Sequence, residues 1–349
     1  MMNRHHRAML CLRLALLVML VCSTGSTAFT LDSAYVGQLR RGIAFTMTEQ
    51  FDSARLVFQH LVDREANDFA ARLYLAGVDH AEMLDREEYD GKEKFESDAE
   101  HAIDLAEDAL KRGHDSAWAY LTIGNAHAYI ASLEAKAGGW WSAMRRGLKA
   151  KGAYLEALKT NPALYDAYLG LGTYHYWKSA KTEFINWFPL VGDRKDDGVR
   201  ELELAVDSSL FSGDLALNSL VWIQLHRKQP GRALACAERL HARYPNSRLV
   251  TWGLAFSSYA AGRYHEALDY FGAIITSLES DSTQNYFNLI ECRYHRAEIF
   301  GQTLQSDAER ADLTALLAYP VNDDVKQRQA DKLKASRKRL DQLAKAAKP

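Results

Sequence analysis

The residues in this 349-residue sequence that could do chemistry are its 12 histidines and a scatter of paired acids. His127 and His175 stand 48 residues apart, and Asp79 stands 48 residues before His127. Such groups could ligate a metal or move a proton if further groups joined them. Cys292 and His295, three apart, would share one face of a helix. Structural zinc takes four ligands, and no HExxH or CxxC pattern or second pair accompanies them. Apart from Gly138-Gly139 the glycines stand singly, so there is no glycine-rich phosphate-cradling loop, and no G-x-S-x-G elbow places a nucleophile beside a base. Asp196-Asp197 and Glu87-Glu88 fall in polar turns or exposed helix, where solvation accounts for them. We therefore assign no catalytic, cofactor-binding or metal-ligating residue. The rings of His127 and His175 are expected to pack half-buried between helices. Asp79 at the same place has no such account.

The equal spacing is itself the stronger signal, because it extends to the elements that position these residues. The same 48-residue step links Leu75, Ile123 and Leu171, and the small residues Ala76, Gly124 and Gly172. It also links Ala102, Ala150 and Gly198, then Ala109, Ala157 and Ala205. Large side chains recur at large positions and small at small, which is the pattern of a structural repeat. Within residues 160–175, Asn161-Pro162 stops one helix and Asp166-Ala167-Tyr168 starts the next. Leu171-Gly172 then sets a large side chain beside none, so a second helix can cross closely there. With 48% hydrophobic residues, 6 Pro and 21 Gly, the composition favours helix throughout and a large buried core. A single pair of helices cannot bury both of its faces, so neighbouring pairs must stack.

Downstream the step shortens: Ala233 to Ala267 is 34 residues. Residues 262–271, GRYHEALDYF, are a turn and second helix of such a unit. With the large-then-small pair, the Ala-x-x-x-aromatic step and the closing Pro162 and Pro245, this closely resembles the tetratricopeptide repeat (TPR) family. The resemblance covers residues 34–300. It implies an all-α, right-handed α-solenoid of antiparallel helix pairs, a TPR-like superhelix. The expected organisation is a signal peptide over 1–28 and an N-terminal unit over 29–66. Three long hairpins then fill 67–210, and two regular units 211–280. A degenerate unit over 281–320 and a charged capping helix or tail over 321–349 complete the chain. The middle units carry 14 residues more than the 34-residue step, read as helices lengthened by about two turns each.

The start of the chain reads as a leader. Arg4, Arg7 and Arg13 precede an apolar run over 14–22 and the small residues of 23–28. That run is too short to span a bilayer comfortably. Val21 stands where lipidation at Cys22 would need a small residue, so lipoprotein anchoring is not expected. Location in the periplasm, or secretion from a bacterium, is the expectation. Without those three arginines the 43 basic residues become 40 against 45 acidic, a net of −5. No global basic field recruits nucleic acid. Cys236 and Cys292 then remain of 4 cysteines, expected as buried thiols rather than a disulfide framework.

What remains is surface for recognition. In the TPR family the first helix of each pair lines the inner groove. The resemblance places Trp118, Asn125, Tyr129, Thr173, Tyr176, Asn218, Trp222, Trp252, Phe256 and Tyr259 along it. That groove is aromatic with a few amides and suits an apolar peptide or amphipathic segment. A second candidate surface is the hairpin tips, with Trp140, Trp141, Trp187 and Phe188. The expectation is that these tips pack against each other. Exposed, with Arg145, Arg146, Lys178 and Lys181 near, they would suit a partner or a membrane headgroup region. The function expected is an exported, non-catalytic TPR scaffold or adaptor that binds a protein or peptide partner in the cell envelope. The alternative is a peripheral protein that binds lipid or an apolar ligand through the aromatic tips.

Overall fold

The computed structural model describes residues 32–114, 116–182, 192–281 and 285–346. Among them run 16 helices and no strand. Seven antiparallel pairs follow one another. The first three are α1 (Ser33–Met47) with α2 (Phe51–Arg64), α3 (Phe69–Arg86) with α4 (Lys92–Lys111), and α5 (Ser116–Lys136) with α6 (Trp140–Thr160). Next come α7 (Ala167–Lys181) with α8 (Lys195–Ser208), and α9 (Gly213–His226) with α10 (Pro230–His241). The last two are α11 (Arg248–Ala260) with α12 (Tyr264–Glu279), and α13 (Phe287–Gln302) with α14 (Ser306–Ala318). A short α15 (Asp323–Arg328) and a charged α16 (Ala330–Ala346) end the chain. The leader-like residues 1–28, Cys22 included, lie outside the described residues.

Local sequence explains the joints. Pro230 opens α10, where a missing N–H costs nothing. Asp68, Ser247 and Asn322 each accept a backbone N–H from the first turn of the helix they precede. Small residues set the crossings: a Cβ at Gly172 would lie 2.6 Å from the carbonyl oxygen of Gly198. Tyr154 fills the space over two glycines, Gly124 and Gly170, each of which a Cβ would deny it. The second and third pairs are lengthened as expected, with helices of 18, 20, 21 and 21 residues against 14 and 12 in α9 and α10. The fourth pair departs from that expectation. Its helices have 15 and 14 residues, and its extra residues fall between α7 and α8.

The superhelix closes on itself, which the repeat pattern alone does not require. Met47, at the end of α1, is buried with Leu217, Val221, Leu240 and Val250 of the fifth and sixth pairs. Leu39, Phe58 and Tyr74 share a cluster with Phe211. The Glu49 carboxylate accepts the N–H groups of Arg248 and Leu249, both at 2.9 Å, at the start of α11. Arg248 in turn donates two hydrogen bonds to Asp85 at the end of α3, one at 3.0 Å. Asn288 donates to the Asp85 carbonyl at 2.6 Å, and Asn285 and Arg328 donate to the Glu87 carbonyl at 3.1 and 2.9 Å. The tip of the second hairpin is thus tied to the sixth and seventh pairs and to α15.

Candidate functional site

The closure divides the inner face, and the sequence candidates divide with it. Trp118 meets Phe211 edge-on at 5.8 Å within the N-terminal core. Asn125 accepts from the Tyr154 hydroxyl at 2.9 Å, and Tyr129 stacks on His80 at 4.9 Å. Thr173 Oγ1 and Asn218 Oδ1 are buried with no hydrogen-bond partner among the described residues. Tyr176 is a correction. It is fully buried, its hydroxyl 2.7 Å from His226 Nδ1, so it belongs to the core and lines no groove. Tyr129 and Tyr176 join adjacent pairs, Asn125 bonds within its own pair, and α1 packs through Leu39 and Met47 against Phe211, Leu217 and Val221.

The remaining candidates come together on α9 and α11. Trp252 stacks on Phe256 at 5.8 Å, and Trp222 meets Phe256 edge-on at 5.7 Å. All three rings and Tyr259 are half-buried. Phe256 and Phe271 flank His295 of α13, at 5.0 and 6.0 Å. His295 Nδ1 lies 2.8 Å from Glu298 and Nε2 3.1 Å from Glu291. These acids were not among the sequence candidates, although 291, 295 and 298 are spaced to share one helix face. Both ring nitrogens are engaged by carboxylates, so His295 and the buried Cys292 do not converge on a metal. Burial pushes the Cys292 thiol well up. Among the described residues, no group of three or more His, Cys, Asp or Glu could hold a metal ion.

The charge of this cluster gives it a pH signature. Burial alone would lower the His295 pKa, but hydrogen bonds and charges from Glu291 and Glu298 outweigh it and raise it. Burial likewise works against Glu291, yet His295, Lys332 and Gln329 hold its carboxyl down at about 2. A raised histidine contributes stability below its unfolded value, about 6.5, and loses it as pH rises through the folded value. A depressed carboxylate contributes above its unfolded value and loses that as pH falls toward 2. The pair therefore contributes fully between about pH 4.5 and 6.5. His295→Gln is expected to cost about 1–2 kcal/mol at pH 6 and less at pH 9. Urea unfolding at both pH values checks it; an equal cost at each would mean that the ring acts only through packing.

The position shared by Asp79, His127 and His175 also resolves. Each sits where a first helix meets a charged residue of a second helix. Arg146 donates to His127 Nδ1 at 3.2 Å, and Arg194 donates to His175 Nε2 at 2.6 Å. Those two arginines are themselves 48 residues apart. At 98, the equivalent place in the second pair is Asp98, and the polarity reverses: Asp79 accepts from Arg55 and Lys94, both at 2.9 Å. His127 and His175 are more buried than the half-buried packing expected of them. Burial, with Arg146 and Lys149 beside it, pushes His127 down to about 4. These are inter-helix ties.

The hairpin tips do not behave as expected either. Trp140 and Trp141 are 56 and 78% exposed, where packing was the expectation. Lys181 lies over the Trp140 ring at 5.0 Å. Trp187 and Phe188 lie outside the described residues. No described helix is long and apolar enough to cross a membrane.

No family model matches the chain, and no curated protein matches it in sequence. Solved structures do match. One is the APC/C hetero-tetramer Cut9–Hcn1, 12% identical with a TM-score of 0.56, over 91% of this chain and 52% of that one. The fold is that of the TPR solenoids. The chain spans about half the length of that protein. A tetratricopeptide repeat protein from Parabacteroides merdae is 15% identical over 87% of this chain and 99% of its own, with a TM-score of 0.40. PilF of Pseudomonas aeruginosa is 16% identical over 68% of this chain and 99% of its own, also at 0.40. At these identities the likeness is one of architecture alone.

Proposed function

We propose that the chain is an exported, non-catalytic TPR scaffold of the cell envelope. It holds a protein partner by an apolar segment laid along Trp222, Trp252, Phe256 and Tyr259. The observation that carries this reading is the division of the inner face. Trp118 packs on Phe211 in the cluster that also holds Leu39 of α1, whereas the cluster of Trp252, Phe256 and Tyr259 contains no residue of α1, and these rings and Trp222 are half-buried on adjacent first helices. Large, rigid aromatic side chains lose little entropy when a partner covers them, which makes such a strip an anchor for binding. His295 with Glu291 and Glu298 supplies a polar margin at its C-terminal end. The leader-like N-terminus supports export.

A photo-crosslinking amino acid at Tyr259 tests the reading in cells. The expected result is a discrete adduct with one protein, lost when Trp222→Ser is introduced and absent when the crosslinker stands at Gln59 on α2. Adducts at Gln59 but none at Tyr259 would move the partner to the outer face and overturn the assignment.

A further inference from the structure

The outward face of α6 is apolar where an outward face should be polar. Trp141, Met144, Leu148 and Leu155 are 78, 48, 52 and 47% exposed. Their spacing, 3, 4 and then 7 residues, keeps them on one side of a helix. Trp140, 56% exposed, stands at the same end. The chain contains its own control. Forty-eight residues earlier, on α4, the equivalent positions are Glu93, Glu96, Glu100 and Glu107. All four are glutamate. On α8 the equivalents of Leu148 and Leu155 are Asp196 and Glu203.

The surrounding charge reverses in step. α4 has seven acidic and three basic residues, a net of −4. α6 has Arg145, Arg146, Lys149, Lys151 and Lys159 against Glu156 alone, a net of +4. Arg146 ties α6 to Glu100, and Lys159 pairs with Glu156. Arg145 and Lys149 are exposed and alternate with Met144 and Leu148 along the face. Core packing does not explain apolar residues 47 to 78% exposed, and contiguous exposed apolar patches are unusual on soluble surfaces.

We propose that this face of α6 docks the protein on an anionic lipid bilayer. The Trp–Met–Leu–Leu stripe would enter the interface, and Arg145 and Lys149 would lie at headgroup level. Three features favour lipid over a protein occupant. The stripe is a ridge, with its residues too exposed to line the groove that a peptide helix would need. Its tryptophans stand together at one end, a residue type favoured at bilayer interfaces. Its net positive charge opposes pairing with the same face of a second copy and complements acidic headgroups. The face is separate from the inner aromatic strip, so scaffold and membrane contact are independent.

Flotation of the full chain with vesicles of phosphatidylcholine, alone or with one quarter phosphatidylglycerol, tests this. The readout is the ratio of anionic to neutral binding, compared between the parent and variants that carry the same leader with its Arg4, Arg7 and Arg13. Two variants are compared: W141E/L148E/L155E, which restores the residues of the preceding unit, and R145E/K149E. All five side chains are outward, and circular dichroism checks that both variants fold as the parent does. The parent is expected to prefer anionic vesicles at least tenfold, less so at high salt, and either variant to lose most of that preference. Equal binding to both vesicles, or a preference that the triple variant keeps, would overturn the proposal. So would a parent dimer that the triple variant dissolves with no vesicle preference, which would make a second copy the occupant.

Discussion

Gly172→Leu is expected to destabilise the protein by about 4 kcal/mol, and Gly172→Ala by about 2 kcal/mol. The cause is backbone against backbone. A Cβ at 172 would lie 2.6 Å from the Gly198 carbonyl oxygen and 3.0 Å from the Leu202 nitrogen. Reciprocally, a Cβ at 198 would lie 2.6 Å from the Gly172 oxygen and 2.8 Å from the Tyr176 nitrogen. No rotamer change relieves such contacts, so α7 and α8 must separate and the Tyr176, Val199, Leu202 cluster between them must loosen. Alanine in a helix normally gains up to about 1 kcal/mol over glycine, so the sign of the effect is the test. Gly152 on α6 provides the contrast, since a Cβ there meets nothing within 4 Å. Gly152→Ala should raise the urea midpoint and Gly172→Ala should lower it. If both raise it, the helices do not cross as closely as described.

That crossing was readable in the sequence because it is a local demand repeated at a fixed interval. Large-then-small pairs at 75–76, 123–124 and 171–172 have no other simple purpose. What could not be read are the contacts that join distant repeats. Glu49 and Asp85 look like ordinary acids at helix ends. Their partner, Arg248, lies 199 and 163 residues away in sequence. A repeat pattern describes each unit against its neighbour and leaves the superhelix pitch open. The same limit misplaced Tyr176, which sits at a groove-lining position of a regular unit but is buried where the fourth and fifth pairs meet. Trp140 and Trp141 show the converse. Their apolar character was plain, but whether a turn residue is covered depends on what packs beside it. Asp79 was puzzling only beside His127 and His175; against Arg55 and Lys94 its charge has a reason.

Asp166 shows how one side chain sets that long-range geometry. It stands at the start of α7, where an aspartate would ordinarily cap its own helix, but its carboxylate makes no such bond. It accepts instead the N–H groups of Leu210, Phe211 and Ser212, at 2.9, 2.8 and 2.9 Å, just before α9. Asp166 is 5% exposed, so the N–H groups it serves have little recourse to water. Asp166→Ala would leave three donors, two of them buried, without their acceptor, and we expect a loss of about 3 kcal/mol. Asp166→Asn keeps one acceptor oxygen and should lose about half as much. The effect should travel, because Phe211 packs against Tyr74 and Trp118 and in the cluster that contains Leu39 of α1. Hydrogen exchange of α1 therefore reports on Asp166 from the other end of the superhelix. Faster exchange in α1 of Asp166→Ala, under conditions where α11 and α13 stay protected, would show that the clamp holds α1 against the inner face. Unchanged α1 protection beside a lowered global stability would confine the clamp to the joint between the fourth and fifth pairs, and α1 would be held by Met47 and by the Glu49 bonds to α11 instead.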